Sequence, residues 1–132
     1  MTRVLIVDDP PSARRSLQAL LAAVEWSDSV HGARDDGMVE TVGEAGDGQA
    51  AIDQVASLHP DVVVIELNMP KLDGTTAIKI IKSRWPEVRI VVLTMYTKDR
   101  AAALEAGADV FLLKGCSTGE LMAALIPKDG LE

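Results

Sequence analysis

Continuous apolar runs alternate along this chain with segments in which apolar residues recur every three or four positions. The runs predict strands, and the absence of polar alternation indicates burial on both faces; they lie at residues 3–7, 39–45, 62–65, 89–94 and 110–113. The spaced segments predict helices at residues 12–24, 49–58, 75–84, 99–106 and 118–126. Strands that alternate with helices in this way indicate an α/β fold with a parallel sheet covered by helices on both faces.

Proline, glycine and aspartate mark the ends of these elements. Pro10 or Pro11 suits the first turn of the first helix, because proline there gives up no helical hydrogen bond. Asp47 is expected to cap the second helix. Residues 25–38 form a polar segment that exceeds the roughly 2–6 residues usual for such connections, so they predict a long surface loop. Partner binding by this loop is an alternative to simple solvation.

The composition favours one domain with an aliphatic core. The chain has 132 residues, of which 48% are hydrophobic and only 3% aromatic. We expect the domain to span residues 1–127 and residues 128–132 to form a tail. Its last two residues resemble a cloning remnant. No apolar run approaches the roughly 20 residues that span a membrane.

Charge and cysteine content narrow the setting of the protein. The net charge of −7 argues against unaided nucleic-acid binding, which needs clustered basic residues. The single cysteine, Cys116, excludes an internal disulfide and fits the reducing cytoplasm. We therefore expect a cytoplasmic domain without a membrane segment.

Polar residues stand where four of the predicted strands end. Asp8 and Asp9 follow the first strand, Glu66 follows the third, Thr94 ends the fourth and Lys114 follows the fifth. Ligands bind at the carboxyl ends of the strands in open parallel sheets. Each residue alone could be an ordinary strand end or cap, but together they predict a charged pocket at one edge of the sheet.

The chemistry of this pocket suits a phosphoryl group. Neighbouring carboxylates must take up protons or gather a cation, and oxygen ligands suit Mg²⁺. A hydroxyl, an ammonium and a metal ion are the groups that surround a transferring phosphoryl group. A small phosphatase or phosphotransferase is a rival interpretation, although the first strand lacks the D-x-D arrangement that such enzymes favour. The sequence shows no nucleotide-binding loop and no zinc-type cluster of histidine and cysteine.

Four motifs resemble the receiver domain of two-component response regulators. They are VLIVDD at residues 4–9, PDVVVIELNMPKLDG at 60–74, VVLT at 91–94 and GADVFLLK at 107–114. The segments VGEAGDG at 42–48 and LLKG at 112–115 are most similar to receivers that carry a C-terminal helix-turn-helix DNA-binding domain. The resemblance implies a flavodoxin-like five-stranded parallel sheet of order 2-1-3-4-5.

The resemblance also implies a metal site and a phospho-acceptor position. Mg²⁺ would be held by Asp8, Asp9, Glu66 and the backbone carbonyl of Asn68. Glu66 stands where the family has its phospho-accepting aspartate.

Three further residues take family roles around the phosphoryl group. Thr94 would contact it, Lys114 would pair with it, and Phe111 would occupy the rotating aromatic switch position. The implied partner is a sensor histidine kinase, and DNA would be reached only through an output domain outside this chain. Receivers catalyse at most their own phosphotransfer, so we do not expect an enzyme.

Glu66 is the main departure from the family pattern. Glutamate reaches about 1.5 Å further than aspartate, and misplacement by about 1 Å can cost roughly 100-fold in rate. It offers one negative charge where a phospho-aspartate carries about two. Three interpretations stay open: an introduced mimic of the phosphorylated state, a natural receiver that is not phosphorylated, or a site that still accepts phosphate. We expect Mg²⁺ to bind weakly, because a Lys114–Glu66 pair would compete for the carboxylate.

One further residue departs from the family pattern, and one helix face suggests an alternative function. Met95 follows Thr94, where the family usually has a small residue, and is expected to narrow access to the pocket. A phosphorylation-independent interaction or homodimerisation module is the alternative function. Leu121, Met122 and Leu125 share one face of the last helix and are candidates for either the core or a dimer contact.

Overall fold

The structure, a computed structural model, describes residues 2–28 and 39–126. Its strands follow the apolar runs closely: β1 Thr2–Val7, β2 Val39–Ala45, β3 Val62–Ile65, β4 Arg89–Thr94 and β5 Val110–Leu113. They form one parallel sheet of order β2-β1-β3-β4-β5. The predicted fold class and strand order are therefore confirmed.

Helices connect the strands in the described part of the chain. They are α1 Pro11–Asp28, α2 Gly48–Leu58, α3 Gly74–Arg84, α4 Arg100–Ala106 and α5 Thr118–Leu125. A short 3-10 helix at Thr97–Asp99 precedes α4, so the fourth predicted helix begins with a tighter turn. Asp47 caps α2 as predicted, because its side chain accepts a hydrogen bond from the N–H of Ala50.

The first helix is longer than its apolar spacing suggested. Residues 25–28 were predicted to open the long loop, but α1 continues through them to Asp28. The prediction is wrong there because the segment contains neither glycine nor proline, which would end a helix. The rest of the predicted loop, residues 29–38, and the predicted tail, residues 128–132, lie outside the described residues.

The core has two layers, one on each face of the sheet. Alternate residues of β4 divide between them: Ile90 and Val92 pack with α2, α3 and α4, whereas Val91 packs with α1 and α5. All three side chains are fully buried. The central strands therefore bury both faces, as their solid apolar runs predicted.

The last helix contributes to this core. Leu121, Met122 and Leu125 are each at most 7% exposed and pack against the sheet. They are core residues, so the alternative that they form a dimer contact is wrong for these side chains.

No helix within residues 2–28 and 39–126 is both long and apolar enough to cross a membrane.

Candidate functional site

Backbone hydrogen bonds continue past the strand ends and fix the residues that follow them. The N–H of Glu66 donates to the carbonyl of Val7 over 3.0 Å, and the N–H of Lys114 donates to the carbonyl of Thr94 over 2.7 Å. Asp8 likewise continues the pairing of β1 with β2. The polar residues therefore leave the same edge of the sheet in register, and the apolar strands set their positions.

Glu66 is buried and surrounded by hydrogen-bond donors. Its side chain is bonded through Oε2 to the hydroxyl of Thr94 at 2.8 Å, the N–H of Leu67 at 2.8 Å and the N–H of Asn68 at 3.2 Å. The Asn68 side-chain amide approaches the same oxygen at 3.4 Å. Oε1 lies 3.1 Å from Nζ of Lys114. Glu66 is only 7% exposed and Thr94 is fully buried, so these bonds form away from bulk water.

Lys114 lies between the carboxylates of Asp8 and Glu66 and contacts both. Its Nζ lies 2.8 Å from Oδ2 of Asp8 as well as 3.1 Å from Oε1 of Glu66. Asp8 is buried, and its Oδ1 accepts the N–H of Asp9 at 2.8 Å. Asp9 itself is exposed. One ammonium thus contacts two buried carboxylates and offsets one of their two charges, and the third carboxylate faces solvent.

The ionisation of this pair follows from its contacts. Burial alone would raise the pKa of Glu66, but hydrogen bonds from Thr94 and Asn68 and the charge of Lys114 bring the pKa below its ordinary value. Burial alone would lower the pKa of Lys114, but its bonds to Asp8 and Glu66 raise the pKa above its ordinary value. Both groups are therefore held in their charged forms.

A cavity of about 580 Å³ opens beside the pocket. Its lining includes Asp9, Asn68 and the loop that follows β3, together with Asp73 and Asp99. Met95 is not among the lining residues and its side chain is 67% exposed, so its predicted narrowing of the pocket has no support here.

A Mg²⁺ ion in this pocket would have to compete with Lys114 for its ligands. Oxygen ligands are the right type, but the carboxylates of Asp8 and Glu66 both contact the ammonium of Lys114. Among the residues that the structure describes, no three acidic, histidine or cysteine side chains converge as a metal site. The ammonium stands where the carboxylates would otherwise gather a cation.

Phe111 contributes to the hydrophobic core and lies three residues before Lys114. It is half-buried on β5 and packs against the core layer formed by α2, α3 and α4. The guanidinium of Arg100 lies 5.9 Å from the centre of its ring, within cation–π range. The structure therefore brings together Asp8, Glu66, Thr94 and Lys114, with Asp9 and Asn68 adjacent, and leaves Phe111 on the neighbouring core layer.

Two glycines allow the loop after β3 to pass close to other backbone. A Cβ on Gly74 would lie 2.4 Å from the carbonyl oxygen of Glu66, and one on Gly48 would lie 2.4 Å from that of Leu72. The N–H of Gly48 also donates to this Leu72 carbonyl over 2.9 Å. The absence of side chains at these two positions is thus part of how Glu66 is placed.

Sequence reasoning missed two contributors to the site. The side-chain amide of Asn68 was overlooked in favour of its backbone carbonyl, although a polar side chain two residues from Glu66 could have suggested the contact. Arg14 received no role in the sequence analysis, yet its side chain is only 16% exposed and reaches the backbone of Asp8 and Asp9.

Comparisons with known proteins identify the family and the fold. The profile of the family described as "Response regulator receiver domain" matches residues 4–126. A curated relative, the response regulator MprA of Mycolicibacterium vanbaalenii, is 35% identical over 125 residues, which are 93% of this chain and 48% of that protein. The chain spans about half or less of the length of the first curated relatives it matches.

Solved structures show the same fold. The signal receiver domain of the response regulator NarL from Mycobacterium tuberculosis superposes with a TM-score of 0.77 at 29% identity, covering 93% of this chain and 91% of that one. RcsB from Salmonella enterica serovar Typhimurium, in a structure bound to the promoter rprA, gives a TM-score of 0.75 at 32% identity, covering 95% and 96%. With the family profile matched across nearly all of its length, the chain belongs to the response regulator receiver domain family.

Proposed function

We propose that this receiver is held in one signalling state by Glu66, which imitates part of a phosphorylated acceptor. The observation that carries the proposal is that one carboxylate contacts both Thr94 and Lys114, at 2.8 and 3.1 Å. These are the hydroxyl and ammonium that a phosphoryl group in this pocket would engage. The longer side chain of glutamate reaches them without any added group.

The imitation is partial for a physical reason. A phosphoryl group brings three oxygens and roughly two negative charges, whereas Glu66 brings two oxygens and one charge. Lys114 correspondingly divides its contacts between Glu66 and Asp8. Both an introduced and a natural glutamate would produce this chemistry, so the proposal holds for either origin of the residue.

Exposure to a small phosphodonor tests the proposal. The native chain is incubated with acetyl phosphate and Mg²⁺ and its intact mass is measured, with Glu66→Asp and Glu66→Gln as matched variants. We expect no phosphoryl adduct on the native chain or on Glu66→Gln, and an adduct on Glu66→Asp. An adduct mapped to Glu66 in the native chain would overturn the proposal.

The aspartate variant separates the remaining interpretations. If Glu66→Asp takes up phosphate, the rest of the pocket is competent and only the acceptor has changed. If it remains unlabelled, the pocket has lost phosphotransfer and the domain acts through phosphorylation-independent protein contacts, which is the alternative function.

We also propose that Mg²⁺ binds more weakly than in an aspartate receiver. Asp8, Asp9 and the carbonyl of Asn68 are the groups that would hold the ion, and Lys114 competes for Asp8. Isothermal titration should give weaker Mg²⁺ binding for the native chain than for Glu66→Asp. Sub-millimolar binding by the native chain would contradict this.

The partners follow from the proposed signalling role. A sensor histidine kinase is the expected partner of an aspartate-bearing form, and a protein that recognises the fixed state is the expected partner of the native chain. RcsB, one of the similar structures, is described as bound to a promoter. DNA contact by a protein containing this receiver would be made through an output domain, because the receiver itself carries a net charge of −7.

A further inference from the structure

Arg14 occupies an unfavourable place on its helix. It is the fourth residue of α1, and the amino end of a helix carries partial positive charge that disfavours a cation. The first turn of α1 contains no acidic residue that would compensate. A basic side chain that is only 16% exposed at this place therefore needs partners elsewhere.

The guanidinium finds those partners on two strand ends. Its Nη1 donates to the carbonyl of Asp8 at 2.7 Å and to the carbonyl of Asp9 at 3.0 Å. Its Nε donates to Oε1 of Glu44, near the end of β2, at 2.6 Å. Gln18 donates to the other carboxylate oxygen of Glu44 at 3.3 Å. Arg14 thus binds both backbone carbonyls of the acidic pair and an anchor on the neighbouring strand.

Local geometry explains why the arginine reaches this turn. Side chains on a helix tilt toward its amino end, so Arg14 extends back over the residues that precede α1. The carbonyl of Pro10 accepts hydrogen bonds from the N–H groups of Ala13 and Arg14. These bonds fix the start of α1 next to the acidic turn. A Cβ on Gly46 would lie 3.2 Å from Nη1, so the bare backbone there leaves room for the guanidinium.

We propose that Arg14 is a positioning residue for the acidic turn formed by Asp8 and Asp9. By binding both carbonyls it fixes the backbone from which the Asp8 carboxylate meets Lys114 and Asp9 borders the cavity. Lysine cannot replace it, because a single ammonium lacks the planar fork that donates to Glu44 and to the turn together. The use of this turn in signalling rests on the proposed function, but its positioning by Arg14 does not.

Nuclear magnetic resonance on the chain with Glu66 in place tests the proposal without phosphodonor or metal. The measurements are the amide exchange rate of Asp9, whose N–H binds Oδ1 of Asp8, and the side-chain nitrogen signal of Lys114. Native protein is compared with Arg14→Ala and Arg14→Lys. Arg15→Ala is the matched control, since it removes the same charge from an exposed neighbour on the same helix.

We expect Arg14→Ala to accelerate exchange at Asp9 by about tenfold or more, relative to the core amide of Val64, and to shift the Lys114 signal. Arg14→Lys should restore little of the native exchange rate at Asp9 or of the native Lys114 signal. Arg15→Ala should match the native protein in both measurements. Uniform acceleration of Asp9 and Val64 with an unchanged Lys114 signal would overturn the proposal, because it would mean that Arg14 only stabilises the fold.

A second variant covers the case in which Arg14→Ala does not fold. Glu44→Gln keeps an acceptor for Nε but removes its charge, and should produce a smaller acceleration at Asp9 with the same selectivity. No selective change in Glu44→Gln would then count against the proposal. The labelling of Glu66→Asp by phosphodonor is a separate measurement, so the proposed function and the role of Arg14 can fail independently.

Discussion

Single residues decide the chemistry of the pocket. Glu66 accepts hydrogen bonds from Thr94, Leu67 and Asn68 and pairs with Lys114. A buried carboxylate is stable only when it is paired and hydrogen-bonded in this way. Each donor therefore contributes to the stability of the folded chain.

Removal of the Thr94 hydroxyl should expose this dependence. Thr94→Val keeps the shape of a fully buried side chain but leaves Oε2 of Glu66 without its hydroxyl donor. We expect a loss of about 1–3 kcal/mol in the free energy of unfolding, measured by urea denaturation, and a rise in the pKa of Glu66. Thr94→Ser keeps the donor and is the control. Equal pKa values of Glu66 in the Val and Ser variants would contradict the expectation.

The Glu66–Lys114 pair should make stability depend on pH in a defined direction. Because the folded-state pKa of Glu66 is lowered, its contribution is present above the ordinary glutamate pKa of about 4.3 and is lost as pH falls through the folded pKa. Because the pKa of Lys114 is raised, its contribution is present below about pH 10.4 and is lost as pH rises through the folded pKa.

Glu66→Gln provides the comparison at acidic pH. The native chain should lose stability more steeply than this variant as pH falls from about 5 toward 3, because only the native chain has the Glu66 carboxyl, whose pKa is lowered in the folded state. Urea denaturation at each pH gives both slopes. Parallel slopes would mean that the pKa of Glu66 is the same in the folded and unfolded states.

At the scale of elements, close packing fixes the loop that carries the site. Gly74, the first residue of α3, lies against the carbonyl of Glu66, and its N–H donates to the carbonyl of Leu67 over 2.9 Å. The start of α3 is thereby attached to the end of β3. Backbone atoms on both sides cannot move aside as a flexible side chain would.

Gly74→Ala should consequently be destabilising. Its Cβ would lie 2.4 Å from the Glu66 carbonyl oxygen, and overpacking of this kind costs about 1–3 kcal/mol or more. Gly119→Ala is the matched control, since Gly119 is an exposed position of α5 and the nearest atom to its Cβ would be 3.8 Å away. This variant should stabilise by about 0.5–1 kcal/mol. Thermal unfolding measures both. Equal effects of the two variants would argue against a backbone clash at Gly74.

The ends of the strands and helices show which boundaries could be predicted from the sequence. The ends of β3 and β4 follow directly from apolar runs, because a strand buried on both faces has few polar residues to obscure its limits. The end of α1 did not follow, since apolar spacing stops at Val24 while the helix continues to Asp28. A helix end without a glycine or proline leaves little local signal.

The whole molecule is a sheet shared by two core layers. Neighbouring residues of β4 supply them, with Ile90 in one layer and Val91 in the other. Because both layers pack on the same strands, we expect them to unfold together.

Paired substitutions in β4 test this coupling. Ile90→Ala and Val91→Ala should each lower the free energy of unfolding by about 2–4 kcal/mol, because both remove fully buried methyl groups. In each variant, amide exchange in α3 and in α5 should accelerate by the same factor. Acceleration confined to the helix nearer the substitution would show that the layers open independently.

The sequence by itself determined the order of elements, the parallel sheet and the polar residues that follow its strands. Those properties depend on hydrophobic periodicity and on the rule that strand ends share one edge, and both are local. A Lys114–Glu66 pair was expected from the sequence, but only the tertiary structure decided that Lys114 also contacts Asp8 and that Arg14 reaches the acidic turn. Such contacts depend on side-chain conformations and on donor–acceptor distances that must be right to within a few tenths of an ångström, which no spacing along the sequence encodes.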